Sequence, residues 1–329
     1  MNPSVKILII RFSSIGDIVL TTPVIRCLKK QLEGEVSIHY LTKKNYLPLL
    51  ENNPYLDKVY GIEKSTNEVI EVLKQEHYDY VIDLHKNMRS RRVKKKLKVM
   101  NFSFDKLNIQ KWLLVNFKWD IMPDIHIVDR YLMAVKALGI ENDGEGLDYF
   151  IPTEIAKQIV IPDKFKGNYT ALAISAAHFT KRIPKVKLEE IIGNTEGLFI
   201  LVGGKEDQAL GEALENKYPE KVWNMVGKTS FHESAYLLEQ AKNVISPDTG
   251  MMHIAAALQK PILSIWGNTV PEFGMYPYYK KGNEHLSSIF EIKGLSCRPC
   301  SKIGFDKCPK GHFKCMIKID GKAVAKKLK

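Results

Sequence analysis

Ser246-Pro247-Asp248-Thr249-Gly250-Met251-Met252-His253-Ile254-Ala255-Ala256-Ala257-Leu258 lies between two apolar runs, Asn243-Val244-Ile245 before it and Pro261-Ile262-Leu263-Ser264-Ile265-Trp266-Gly267 after it. The order reads strand, polar turn, helix, strand, the repeat unit of a parallel sheet. A small, glycine-containing turn leaves backbone N–H groups free at a helix N-terminus, where the helix dipole favours a phosphate. Thr249 adds a hydroxyl, and His253 stands one helical turn further on the same face. The plainer alternative is that Asp248 and Thr249 only cap a buried helix.

A second turn of this kind opens the chain. Val5 to Phe12 is a continuous apolar run with two basic interruptions, as expected for a strand buried on both faces of a parallel sheet. Ser13-Ser14-Ile15-Gly16-Asp17 makes a sharp turn, after which Ile18, Val19, Val24, Ile25, Leu28 and Leu32 resume at largely helical spacing around Pro23. Open α/β sheets bind ligands at this end of their strands. One capping oxygen suffices for the turn and two serines are present, so the Asp17 carboxylate reads as available for chemistry.

The chain has 329 residues, 45% of them hydrophobic, enough for two packed cores. No run approaches the ~20 apolar residues of a membrane span, and the N-terminus lacks the pattern of a secretory signal, so a cytoplasmic protein is expected. Five cysteines do not read as a secreted disulfide framework. The formal charge of +12 is concentrated in Arg89-Ser90-Arg91-Arg92-Val93-Lys94-Lys95-Lys96-Leu97-Lys98 and in Lys322, Lys326, Lys327 and Lys329. Neither block has interleaved aromatics or a nucleic-acid motif, so nucleic acid is not the expected partner. An anionic membrane surface or an acidic glycan fits better, with a merely solvated face as the alternative.

Strand and helix patterns alternate in both halves, which argues for two doubly wound parallel sheets. The strands are expected at 5–12, 36–41, 57–61 and 79–84, then at 170–175, 198–202, 222–226, 243–245 and 261–267. Helical patterns occupy 17–33, 43–51, 66–77 and 128–138, then 184–193, 206–217 and 232–242. Residues 100–128 read as irregular, with Trp112, Phe117 and Trp119 among basic residues, and 141–168 reads as a linker. The expected domains are 1–160 and 161–315, with a last helix at 316–329.

Four segments occur in order: RFSSIGDIVLTTPVIRCLK (Arg11 to Lys29), TKRIP (Thr180 to Pro184), GGKED (Gly203 to Asp207) and DTGMMHIAAALQKPILSIWG (Asp248 to Gly267). On these the chain resembles the heptosyltransferases of glycosyltransferase family 9, which build the inner core of bacterial lipopolysaccharide from ADP-activated heptose. The resemblance implies the GT-B architecture: two facing Rossmann-like α/β domains with a central cleft, and a final helix that returns to the N-terminal domain. It implies an inverting transferase with Asp17 as base and Lys181 against the donor phosphates. Ser175, Thr180, Glu206, Asp207, Met225, Asp248, Thr249, Gly250 and His253 complete the expected donor side, with Glu206 or Asp207 on the ribose. Ser14, Gly16, Lys86 and Arg89 are expected on the side of a lipid-linked acidic acceptor. The family's Arg-Trp-Pro after the lysine is here Arg182-Ile183-Pro184.

No Asp-x-Asp pair occurs in the chain, which favours a metal-independent scheme in which lysine and a helix N-terminus meet the leaving diphosphate. Cys297, Cys300, Cys308 and Cys315, with His312 between the last two, suggest a structural zinc, set against reduced buried thiols. Two other readings compete. One is a nucleotide-sugar epimerase or hydrolase of the same fold; the other is a non-catalytic, zinc-containing binder of polyanions.

Overall fold

The apolar run near the start forms β1 (Ser4–Ile10), whose last four residues are buried. The computed structural model describes residues 4–328. After β1 come α1 (Ile15–Val19), α2 (Thr22–Gln31), β2 (Glu35–Lys43), β3 (Lys58–Ile62), α3 (Ile70–Gln75), β4 (Tyr80–Asp83), α4 (Met88–Leu97) and β5 (Met100–Ser103). Two helices follow, α5 (Asn108–Phe117) and α6 (Ile127–Met133). The second half continues with α7 (Ile155–Gln158), β6 (Tyr169–Ala173), α8 (Lys185–Gly193), β7 (Leu198–Val202), α9 (Gln208–Lys217) and β8 (Val222–Asn224). It ends with α10 (Phe231–Gln240), β9 (Asn243–Pro247), α11 (Gly250–Ala257), β10 (Ile262–Trp266), β11 (Ser287–Glu291), α12 (Lys314–Ile317) and α13 (Gly321–Lys326).

These elements form two units. The first is the chain up to Lys106 with Ile125–Phe150, and the second is Leu107–Asp124 with everything from Ile151 onward. The expected boundary near residue 160 is therefore drawn ten residues earlier, and the segment bearing α5 belongs to the second unit.

In the first unit five parallel strands stand in the order β3-β2-β1-β4-β5. In the second, six parallel strands stand in the order β11-β10-β9-β6-β7-β8. Each sheet reverses direction of winding at one place, between β1 and β4 and between β6 and β9. Doubly wound sheets bind ligands beyond the strand C-termini at that reversal. Both turns singled out in the sequence follow a strand at such a point.

Three local differences have physical reasons. The helix expected over 17–33 is broken: the Thr21 hydroxyl bonds Ile18 O at 2.7 Å, and Pro23 sits in the first turn of α2, where its missing N–H costs no bond. The edge strands β5 and β11 were not expected, being short and only partly buried. The last helix, expected to return to the first unit, packs within the second. Val324 and Leu328, with Met316 and Ile319, pack into the core formed by Leu188, Ile191 and Ile192 of α8. A side chain at Gly321 would meet Glu190 of α8 at 2.8 Å, so the approach there is close.

Candidate active site

In the first unit, Ser14 opens α1 in extended conformation and Asp17 stands in its first turn. Asp17 is not the spare carboxylate that the sequence suggests. It accepts from the Ser14 N–H at 3.0 Å and from the Ser14 hydroxyl at 2.8 Å, and it pairs with Arg11 at 2.6 Å. Burial opposes its ionisation, but the Arg11 charge and the Ser14 bonds outweigh burial and bring its pKa down to about 2. Arg11 is held in turn by Ser13 O, Leu84 O and the Tyr131 hydroxyl at 2.6–3.0 Å. Gly16 is buried within α1, and Ser14 is exposed.

The ends of β4 and β5 bring further groups to the same edge. Ile10, Asp83 and Ser103 are level across β1, β4 and β5, so Arg11, Leu84-His85-Lys86 and Phe104-Asp105-Lys106 leave the sheet together. Lys86 is exposed, and its ammonium donates to Phe104 O at 2.9 Å. The His85 ring meets Phe12 edge-on at 5.2 Å, and its Nδ1 is buried without a partner. Burial, then Arg11 and Lys106, lower its pKa to about 4. Lys106 is partly buried and makes no ion pair among the described residues; burial first, then the Arg11 charge, lowers its pKa. His85 and Lys106 were absent from the sequence expectation. Lys106 lies in a stretch read as irregular, and only strand pairing brings it to Asp17.

Arg89 is exposed in the first turn of α4, which Asn87 caps through the Arg89 and Ser90 N–H groups. The helix rests on Ser90 and Val93 and leaves Arg91, Arg92, Lys95 and Lys96 in solvent, while Lys94 pairs with the buried Asp83 at 3.0 Å.

In the second unit, Lys181 donates to Asp248 at 2.6 Å, and the Thr269 hydroxyl reaches the same carboxylate oxygen at 2.8 Å. One Asp248 oxygen is therefore engaged by both Lys181 and Thr269. Thr249 is the N-cap of α11 but makes no capping bond; its hydroxyl meets Ser246 Oγ at 3.2 Å. Gly250 begins the helix, so the N–H groups of its first turn are not answered by the cap residue. His253 is buried one turn further on.

Five other expected donor contacts are placed as follows. Thr180 is committed: its hydroxyl accepts from Phe305 N at 2.8 Å and donates to Phe305 O at 3.2 Å, which tethers the loop to the residue preceding Lys181. Ser175 accepts from Gly204 N at 2.8 Å, and a Cβ at Gly203 would lie 2.4 Å from its oxygen, so this hydroxyl shapes the glycine turn. Asp207 is buried and paired with Arg182 at 2.7 Å, whereas Glu206 beside it is exposed. Met225, partly buried, follows β8, with its N–H on Leu201 O.

Cys297, Cys300, Cys308 and Cys315 lie close enough for their charges to interact. Cys297 Sγ lies 3.9 Å from His312 Nε2 and Cys308 Sγ accepts from Phe313 N, but no three such groups among the described residues are disposed to hold a metal. All are free thiols, and burial pushes Cys315 up to about 11. Cys27 is a core thiol of α2.

Two Rossmann-like units, each with an ion-paired aspartate at its switch point, match the GT-B type of fold seen in glycosyltransferases. Solved structures agree: the chain superposes on Escherichia coli ADP-heptose lipopolysaccharide heptosyltransferase II with a TM-score of 0.74 at 18% identity, covering 98% of this chain and 97% of that one. For a family 9 glycosyltransferase of Veillonella parvula the TM-score is 0.75 at 20% identity, with 98% and 96% covered. The family model for glycosyltransferase family 9 (heptosyltransferase) matches residues 67–301, and the chain belongs to that family. Its relatives include lipopolysaccharide heptosyltransferase 1 of Campylobacter coli, 25% identical over 291 residues, 80% of this chain and 84% of the relative. Lipooligosaccharide heptosyltransferase 2 of Haemophilus influenzae is 26% identical over 298 residues, 82% of this chain and 85% of the relative. The chain is thus a glycosyltransferase.

Proposed function

We propose that the enzyme moves a heptose from ADP-heptose to an acidic, lipid-linked acceptor of the lipopolysaccharide core type, by single inverting displacement and without a metal. The observation that carries this reading is the Lys181–Asp248 pair beside the uncapped start of α11. Lys181 and the first-turn N–H groups supply positive charge for a leaving diphosphate, which an Asp-x-Asp site would otherwise gather around a cation. A structurally similar heptosyltransferase of Escherichia coli was solved with ADP, which supports the choice of nucleotide. Glu206, exposed after the Gly203-Gly204 turn, is the better ribose acceptor, because Asp207 is already paired.

The acceptor hydroxyl attacks the anomeric carbon, the bond from that carbon to the diphosphate oxygen breaks, ADP leaves, and the hydroxyl proton passes to Asp17. A carboxylate of such low pKa takes the proton only late, once the new C–O bond has acidified the hydroxyl. Lys106 and the exposed Lys86 and Arg89 suit an acid group carried by the acceptor, and the neutral His85 ring can add a hydrogen bond. Among the described residues no helix is long and apolar enough to cross a membrane, so action on a lipid-linked acceptor implies peripheral attachment at the cytoplasmic face, aided by the basic side of α4.

Thermal melting with ADP, UDP, GDP and CDP, each with and without EDTA, tests the donor. Ligand at 100 times its dissociation constant adds about 2.7 kcal/mol, a shift of several degrees. A shift with ADP that EDTA leaves unchanged is expected. Preference for another nucleotide replaces the donor, and dependence on a divalent cation overturns the metal-free scheme.

A further inference from the structure

Helix α5 is apolar on two sides. Leu114, with Val115 and Met122, packs on Val270 and Phe273 of its own unit. The other side has no such cover. Ile109 is 72% exposed and Trp119 64%, and Trp112, Phe117 and Ile121 are about half exposed. Trp112, Phe117 and Trp119 stack in sequence, with ring centroids 5.2 and 5.6 Å apart. Soluble proteins rarely leave such a cluster in water unless it meets a partner.

The surroundings say which partner. The Lys302 ammonium reaches Asn108 O at the start of α5, at 3.3 Å, and the exposed Ile303 follows it. Within the segment itself, Lys111 stands over the Phe273 ring at 6.0 Å and Lys118 donates to Pro299 O at 2.7 Å, so three lysines border it. Asp120, the carboxylate nearest the aromatics in sequence, is turned back onto Met122 N at 3.0 Å. A tryptophan-rich apolar face bordered by lysines matches the headgroup zone of an anionic bilayer, where indole rings settle and lysines meet lipid phosphates.

We infer that the Ile109–Ile121 face is a membrane-docking surface that inserts Trp112, Phe117 and Trp119 among anionic lipid headgroups. This deepens the reading of a lipid-linked acceptor, and it requires neither donor nor acceptor to be tested.

The full chain is sedimented with vesicles of equal parts phosphatidylglycerol and phosphatidylcholine, and with vesicles of phosphatidylcholine alone. Tryptophan emission is followed with brominated phosphatidylcholine in the bilayer. Trp266 is fully buried and Trp223 half-buried, so Trp112 and Trp119 dominate the response. Binding to the anionic vesicles, a blue shift and quenching by the brominated lipid are expected. The triple variant Trp112→Ser, Phe117→Ser, Trp119→Ser should bind at least ten-fold more weakly with an unchanged melting temperature, and Trp119→Ser alone should show the same trend. Absence of vesicle binding by the native chain, or undiminished binding by the variants, overturns the inference. So does a dimer in sedimentation that the triple variant abolishes, since the face would then be covered by a second copy. Loss of transfer with vesicle binding intact would count against the acceptor reading and leave this surface standing.

Discussion

The turn after β1 and the turn after β9 contain the same device with its polarity reversed. Each follows a central strand, each opens a helix, and each pairs an aspartate with a cation at 2.6 Å. In the first, the Asp17 side chain is 21% exposed and Arg11 10%. In the second, Lys181 is 18% exposed and Asp248 10%. The first turn therefore presents a carboxylate backed by a guanidinium, and the second an ammonium backed by a carboxylate. On the proposed function, the first would take a proton and the second would hold an anion. The inner partner fixes the outer one and tunes its charge, which is why neither pair reads as a simple surface salt bridge.

The comparison breaks most sharply at Asp17. Asp17→Asn should lower turnover by about 10²–10⁴-fold while ADP affinity stays within two-fold, measured by single-turnover transfer and calorimetry. Near-normal turnover would remove Asp17 from the chemistry. Lys181→Met should lower kcat by about 10²–10³-fold and weaken ADP, because the leaving group loses its cation. Asp248→Asn should act through Lys181, with a smaller loss of kcat and a changed pH profile; equal losses in the two variants would mean that Asp248 itself meets the donor.

Glu206→Gln should weaken ADP about ten-fold without changing the melting temperature, whereas Asp207→Asn should lower the melting temperature by breaking the Arg182 pair. The reverse pattern would exchange their roles.

The smallest effect concerns His85. Its folded pKa of about 4 lies below the ordinary 6.5, so the folded state resists protonation. Its contribution is full above pH 6.5 and is lost as pH falls towards 4. His85→Asn should flatten the stability profile across that window by about 1–2 kcal/mol, discounted for the part of the ring open to solvent. An unchanged profile would mean that the imidazole already finds a counter-charge.

Both turns were legible in the sequence because small residues between an apolar run and a helical period have few other uses. Their electrostatics were not. Lys181 and Asp248 lie 67 residues apart, and Thr180 and Phe305 125 apart, so only the closed fold turns an expected ligand contact into an internal tie. Asp17 misled for a nearer reason. Ser14 gives its hydroxyl to the carboxylate, so the aspartate and the serine satisfy one another. The edge strands β5 and β11 are too short and too exposed to show a period. Helix α5 went unseen because apolar residues on two sides erase the polar stripe by which a surface helix is recognised.

The seating of α13 on α8 has a consequence for folding. Leu328 and Val324 complete the core against which α8 rests, although they come far later in the chain. Only three residues separate Lys181 from α8. The second unit therefore cannot finish its packing until α13 is in place, and loss of that helix should loosen the element that follows Lys181.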